Sequence, residues 1–325
     1  MCFGFDGDKA LDDSLAAKGA SRRALFRGAA VGAAGLAVAS VGTGAATAAP
    51  GRPGKPGKPG KPVKGQRRVP HRAISLQMYT LRAAVSGEPG LETVLDRLAQ
   101  YGYQQVELAG YYGRTAAEMK TLLDERGLKA TSSHDGISAT RAEARTKMEN
   151  AALLGQSYVN VPYLNSDSLE EWQGWADAMN AEARIARRFG LRYGYHNHAH
   201  EFTIDLGGGV TPWQVLTERL DPKLVHLEAD LYWVYTGGVN TNQADPDKFV
   251  IDTLRAAPQE VRQFHVKDRD AATGDMADLG TGVVDFERIF SKHRAEQYIV
   301  ENDNPDVSPL TSAAVGHLYL EHVRY

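Results

Sequence analysis

Residues 192–202 read Arg192-Tyr193-Gly194-Tyr195-His196-Asn197-His198-Ala199-His200-Glu201-Phe202. Arg192–Tyr195 has the length and aromatic content of a short strand. The character then changes abruptly: three histidines fall at every second position, followed by a glutamate. The same switch, from a short strand candidate to a charged or imidazole side chain, recurs along the chain. Glu107 lies near the end of Gln105–Leu108, His134 follows Ala130–Ser133, and Asp230 follows Val225–Ala229. His265 and Lys267 mark the end of Gln263–Val266, and Glu301 follows Tyr298–Val300.

With Ile74–Met78 and Tyr158–Val161 these make eight strand candidates. Amphipathic segments separate them: Leu91–Tyr101, Thr115–Arg126, Thr140–Leu154, Leu169–Phe189, Pro212–Leu220, Pro246–Ala256, Asp285–His293 and Pro309–His322. Leu91, Val94, Leu95 and Leu98 repeat at helical spacing, and Gly127 marks a helix end. Eight strand-then-helix units from residue 73 onward predict an α/β fold, a (β/α)8 TIM barrel, whose usual size is about 250 residues. A doubly wound open sheet is the competing architecture. It calls for a glycine-rich turn after the first strand, where this chain has Gln77-Met78-Tyr79-Thr80-Leu81-Arg82. Gly280-Thr281-Gly282 lacks the later glycine of a nucleotide motif.

The chain of 325 residues divides by charge. Residues 1–48 carry five bases and four acids, and residues 49–72 eight bases and no acid. Of the 37 bases and 40 acids, that leaves 24 and 36 in residues 73–325, a net charge of −12. So acidic a body argues against nucleic acid as a partner, since backbone affinity comes from Lys and Arg at phosphates. The single cysteine is Cys2, so neither disulfides nor thiolate metal sites arise in the body.

Arg22-Arg23 precedes the uncharged small-residue run Gly28–Ala49. This reads as a twin-arginine signal peptide over residues 1–48, cleaved after Ala48. The expected location is extracellular or periplasmic, with no stable membrane insertion after cleavage. Retention as an anchor is the competing reading; Gly and Ala dominate the run, which weakens it. Residues 49–72 form a basic Gly-Lys-Pro linker with Gly-X-Pro triplets from Gly51 to Pro62, too few for a collagen helix. Residues 1–68 or so are expected to lie outside the barrel of residues 73–325.

In a (β/α)8 barrel the strand ends converge on one mouth. His196, Asp230, His265 and Glu301 follow strands five to eight and would surround one point. Two imidazoles with two carboxylates suit a divalent Mn, Zn, Fe, Co or Ni ion better than Ca or Mg. Asn197, Glu201, Asp268 and Asn302 are placed to orient those ligands. Glu107 is either a substrate contact or an ion-pair partner of Arg82 or Arg114; His134 is either a substrate contact or a loop cap.

Val106-Glu107-Leu108, Tyr195-His196-Asn197-His198-Ala199-His200-Glu201-Phe202, Glu228-Ala229-Asp230, Phe264-His265-Val266-Lys267-Asp268, Leu279–Phe286 and Ile299-Val300-Glu301-Asn302 resemble the sugar phosphate isomerase/epimerase superfamily, the xylose isomerase-like TIM barrels. The resemblance implies metal ligands at His196, Asp230, His265 and Glu301, and a homodimer. It implies a metal-dependent sugar isomerase or epimerase working through an enediolate on a sugar or keto-sugar derivative. Glu301, Glu201 and His196 would be its catalytic residues, with His134, Lys267, Glu107 and His198 binding substrate. Two positions depart from the ketose epimerases: His196 stands where they carry Glu, and Trp233 where they carry a His three residues after the strand-six Asp. His-x-His after strand five and His-x-Lys-Asp after strand seven resemble inosose dehydratases instead. The alternatives are therefore a dehydratase or lyase on a keto-inositol or 3-keto-glycoside, and a non-catalytic exported sugar-binding barrel. The apurinic endonuclease branch of the fold needs about twice as many metal ligands and a basic face.

Overall fold

The computed structural model describes residues 7–17 and 67–325. The twin-arginine pair, the cleavage point and most of the Gly-Lys-Pro linker lie outside the described residues. Eight parallel strands close a ring: β1 (Ile74–Leu76), β2 (Gln105–Leu108), β3 (Lys129–Ser133), β4 (Tyr158–Val161), β5 (Arg192–His196), β6 (Val225–Asp230), β7 (Val261–Val266) and β10 (Gln297–Val300). Continuous ladders run β4-β5-β6-β7-β10-β1, and β2 pairs with β3. Single parallel bridges, Gln77 to Glu107 and His134 to Asn160, join the two sheets and complete the barrel. Between β7 and β10 a small antiparallel hairpin, β8 (Asp268–Arg269) with β9 (Met276–Ala277), rises over the mouth.

The helices form where the sequence supplies caps. Thr115, Thr140 and Thr211 each close a capping box with the residue three further on, and Gly155 ends its helix in the left-handed conformation. Pro246–Ala256 and Pro309–His322 have the expected bounds. Strand one stops at Leu76, short of the expected Met78, because the Gln77 side chain accepts the Tyr79 N–H and starts a 3-10 turn over Met78–Leu81. A helix absent from the sequence reading, Leu231–Asn240, begins directly at Asp230, whose carboxylate accepts the Trp233 N–H. Its apolar residues are buried all round, so no amphipathic stripe announces it. Among the described residues no helix is long and apolar enough to cross a membrane.

Two sets of contacts reach beyond residues 73–325. Arg67 and Tyr325 exchange backbone hydrogen bonds at 3.1 Å each way, and Val69 is buried, so the end of the basic linker belongs to the barrel. Further back, helix Gly7–Ala17 packs on the C-terminal helix Pro309–His322, with Leu11 and Leu15 buried against Val315. Ser14 Oγ donates to Asp278 Oδ2 at 2.7 Å. The contact arises because Leu11 and Leu15, four residues apart, share one helix face.

Strand alternation divides the barrel wall into two chemistries. Val159, Val161, Tyr193, Tyr195, Phe264 and Val300 face the helices and form the apolar core. The alternate residues point inward, and most of them are polar. Gln297 donates to Gln105 (3.0 Å), Gln263 to Gln297 (2.8 Å), and Asn160 to Gln263 (3.0 Å). His226 adds a fourth contact, to Gln263 at 3.0 Å. This amide chain spans the barrel below the mouth, where bulky branched residues usually fill the interior. Gly194 lets it close: a Cβ there would stand 2.3 Å from Asn160 Oδ1 and 2.5 Å from His226 Nε2. Gly194→Ala is therefore expected to lower stability by roughly 1–3 kcal/mol through overpacking, measured by denaturant unfolding; an unchanged midpoint would show that the interior yields freely.

Candidate active site

Above the amide floor the inward positions become ionisable. Glu107, Glu228, Asp230 and His265 are wholly buried, and His196, Lys267 and Glu301 nearly so. Donor atoms of His196, Asp230, His265 and Glu301 lie within 4.8 Å of one another. The four residues that the sequence places after strands five to eight are thus brought together. His196 Nε2 is 3.7 Å from Asp230 Oδ2, and His265 Nδ1 is 2.6 Å from Glu301 Oε2. Lys267 Nζ stands among the same carboxylates, 2.7 Å from Glu301, 3.1 Å from Asp230 and 3.0 Å from Asp303.

A second set lies one layer deeper. Glu228, two residues before Asp230 on the same face of β6, sends Oε2 to His134 Nε2 (2.7 Å), His196 Nδ1 (3.4 Å) and His265 Nε2 (3.4 Å). Asn160 Nδ2 donates to its other oxygen at 2.6 Å. Glu228 stands out in the sequence only as a neighbour of Asp230; its inward direction follows from strand period two, and that signal was available. Asp303 was also missed, since it lies in the loop beyond β10 rather than at a strand end.

The charges are strongly coupled. Burial alone would lower His265, but Glu228, Glu301 and Glu107 raise it well above the ordinary imidazole value. Burial likewise opposes Lys267, yet Asp230, Glu301 and Asp303 keep it a cation. Glu301 is held well below the carboxylate range, against burial, by Lys267 and His265. Burial pushes Asp230 up to about 6, and burial with the neighbouring His265 pulls His196 down to about 3. His198 is lowered too, by burial and then by His196, so its ring is neutral.

The mouth opens as a cleft of about 460 Å³ lined by Tyr79, His134, Pro162, Tyr163, His196, His198, Lys267, Glu301 and Asp303, with Ala109. His134, Lys267 and His198, expected as substrate contacts, line this cleft. Glu107 and Glu201 lie outside this lining. Glu107 lies beneath the cleft, receiving Gln77 Nε2 and facing His265 Nε2, both at 2.7 Å. Neither Arg82 nor Arg114 pairs with it: Arg82 donates to backbone oxygens of Tyr79 and Asp303, and Arg114 faces Glu92. Glu201 turns back into its own loop, accepting Tyr195 OH (2.6 Å) and the His198 N–H (2.9 Å). It shapes the β5 loop and does not line the cleft, because the amide it caps lies only three positions earlier in the chain.

The other residues expected to orient the ligands contact backbone groups and Asp278 rather than the ligand side chains. Asn197 Oδ1 accepts the Asp230 N–H at 3.0 Å, tying the β5 loop to β6. Asp268 accepts the N–H groups of Arg269, Gly280, Gly282 and Val284. That explains Gly280-Thr281-Gly282: a Cβ on Gly282 would stand 2.3 Å from Asp268 Oδ1. Asn302 Nδ2 donates to Asp278, which also receives Ser14.

Comparison with known proteins decides the family. The family model described as xylose isomerase-like TIM barrel matches residues 95–315. The chain belongs to that family. The inosose dehydratase of Bacillus licheniformis is 24% identical over 279 residues, covering 71% of this chain and 87% of that protein. A sugar phosphate isomerase/epimerase from Parabacteroides distasonis superposes with a TM-score of 0.63 at 23% identity, covering 78% of this chain and 94% of its own. The IolI protein, whose crystal structure carries a zinc atom, superposes at 0.58 with 14% identity, over 76% and 96%. Each likeness to a solved structure establishes the fold.

The donor set fits a divalent ion. Asp230 Oδ2 is buried and makes no hydrogen bond, its one close cation being Lys267 Nζ at 3.1 Å, and the four donors already cluster. His265 must shed a proton before its Nδ1 can bind metal, and Asp230 must be ionised. Metal uptake at pH 7 is therefore expected to release protons, and affinity should fall as pH drops below about 6, where Asp230 protonates. Calorimetric titration with zinc in buffers of different ionisation enthalpy measures this; binding without proton release would contradict a protonated His265 in the metal-free protein.

Proposed function

We propose that this chain is a divalent-metal-dependent enzyme that removes the proton α to the carbonyl of a keto-sugar or keto-polyol and expels a β-leaving group, a dehydratase or lyase. The observation that carries this reading is the one-sided placement of carboxylates. Glu301 and Asp303 line the β10 wall of the cleft beside Lys267, while the facing wall presents His134, His198 and Tyr163. Glu201, the carboxylate that could have worked from the other face, is bound within its own loop. Inosose dehydratase relatives at 24% and 23% identity support the same class.

An ion held by His196, Asp230, His265 and Glu301 would supply Lewis-acid stabilisation of the negative charge that develops on a substrate oxygen. The residues do the rest. Glu301, ionised beside Lys267, accepts the α-proton. The C–H electron pair forms the enolate, whose collapse breaks the β C–O bond. Asp303, raised first by burial and then by Glu301, gives its proton to the departing oxygen. The products are an unsaturated ketone and water or an alcohol. Lys267 and His198 hold substrate oxygens, one as a cation and one as a neutral imidazole. Isomerisation or epimerisation is the second reading. It needs a protonated donor on the wall facing Glu301, where His134 and His198 are the ionisable side chains.

Keto-inositols and 3-keto-glycosides incubated with metal-loaded enzyme in D2O separate these outcomes. Elimination shows as loss of water or aglycone by mass spectrometry, epimerisation as unchanged skeleton with deuterium at the α-carbon. Glu301→Gln should reduce α-proton exchange at least about 100-fold. Asp303→Asn should slow elimination more than exchange. No exchange with any of these ketones would overturn the proposed reaction class.

A further inference from the structure

His196 and His265 each face two sets of ligands with opposite ring nitrogens. His196 turns Nε2 to Asp230 (3.7 Å) and Nδ1 to Glu228 (3.4 Å). His265 turns Nδ1 to Glu301 (2.6 Å) and Nε2 to Glu228 (3.4 Å). The upper set is the one that the proposed function uses. The lower set, His134, His196, Glu228 and His265, also has its donor atoms within 4.8 Å of one another.

We infer that the barrel holds a second, deeper divalent-metal position formed by His134 Nε2, His196 Nδ1, Glu228 Oε2 and His265 Nε2. Three features carry it. Glu228 Oε2 lies 2.7, 3.4 and 3.4 Å from the three imidazole nitrogens. In a tetrahedral site with bonds of about 2.0–2.1 Å, neighbouring donors stand about 3.3–3.4 Å apart, so two of these three distances already match. His196 Nδ1 is buried with no hydrogen-bond partner and points into this cage. The upper carboxylates already face the ammonium of Lys267, whereas the ion pairs of Glu107 and Glu228 are all with imidazoles.

The two positions exclude one another. A neutral imidazole has one lone-pair nitrogen, and the other carries hydrogen. Metal in the upper position needs the lone pairs of His196 Nε2 and His265 Nδ1; metal in the lower position needs the opposite tautomers. Three nitrogens and one oxygen select zinc or cobalt, whereas the two-nitrogen, two-oxygen upper set also accepts manganese. A carboxylate at residue 196 could not serve both positions, so the strand-five histidine is what makes the choice between them available.

Cobalt titration of the metal-free protein tests this, read by equilibrium dialysis and by the visible absorption of tetrahedral Co2+. Wild type is expected to bind one equivalent. The Asp230→Asn, Glu301→Gln double variant should still bind about one equivalent with strong tetrahedral absorption, and adding Glu228→Gln should abolish it. His134→Ala, at a partly exposed position, provides an independent loss of lower-site binding. Far-UV circular dichroism and a thermal melt establish that each variant is folded. A folded double variant that binds no cobalt overturns the lower position and leaves the proposed function standing. Wild type losing its cobalt through Glu228→Gln alone, while the double variant retains it, supports the lower position and removes the upper one. A wild-type protein that takes up no cobalt overturns both.

Discussion

Five carboxylates, Glu107, Glu228, Asp230, Glu301 and Asp303, meet in one barrel mouth, four of them almost wholly buried. Isolated buried carboxylates would cost several kcal/mol each unless paired or neutralised. Lys267 and the imidazoles of His134 and His265 are the cations available to them. Much of the local structure follows from this constraint. His265 bridges Glu107 and Glu301 at 2.7 and 2.6 Å. His134 leans between Glu107 and Glu228. Lys267 spans Asp230, Glu301 and Asp303. A divalent ion relieves the same excess of negative charge, which is why a metal suits a site that the protein already keeps partly neutralised.

The polar interior supports this mouth. The amides of Gln105, Asn160, Gln263 and Gln297 hold each other across the barrel and orient Glu228 from below. An apolar filling would leave the lower face of Glu228 without a donor, and a buried unsatisfied carboxylate is more costly than an unsatisfied neutral group. Fixing the floor fixes the ring orientations of His196 and His265, and through them the geometry available to a substrate. The loops serve the same end: Glu201 shapes the β5 turn, Asn197 ties it to β6, and Asp268 gathers the backbone of the Gly280–Val284 loop.

The sequence carried the barrel because strand and helix alternate with clear caps, as at Thr115, Thr140 and Gly155. It carried His196, Asp230, His265 and Glu301 because each occupies the same place relative to its strand. Glu228 was legible in principle from the two-residue period of β6 but stood in the shadow of Asp230. The placement of Glu107 and Glu201 was not legible for a different reason. A strand-end carboxylate can face the cleft, the barrel interior or its own loop, and only the packed structure decides; Gln77 and His265 take the first, Tyr195 and the His198 amide the second. Leu231–Asn240 escaped because it is buried on all sides and carries no amphipathic signal.

The proposed chemistry rests on one divalent ion at the barrel mouth, liganded by His196, Asp230, His265 and Glu301. Anomalous diffraction from crystals of the wild-type protein grown with one equivalent of manganese tests it most directly. The expected result is a single strong peak about 2.0–2.3 Å from His196 Nε2, His265 Nδ1 and oxygens of Asp230 and Glu301, with Lys267 displaced from between the two carboxylates. A fully occupied peak elsewhere on the protein, with these four side chains still closed around the Lys267 ammonium, would contradict it.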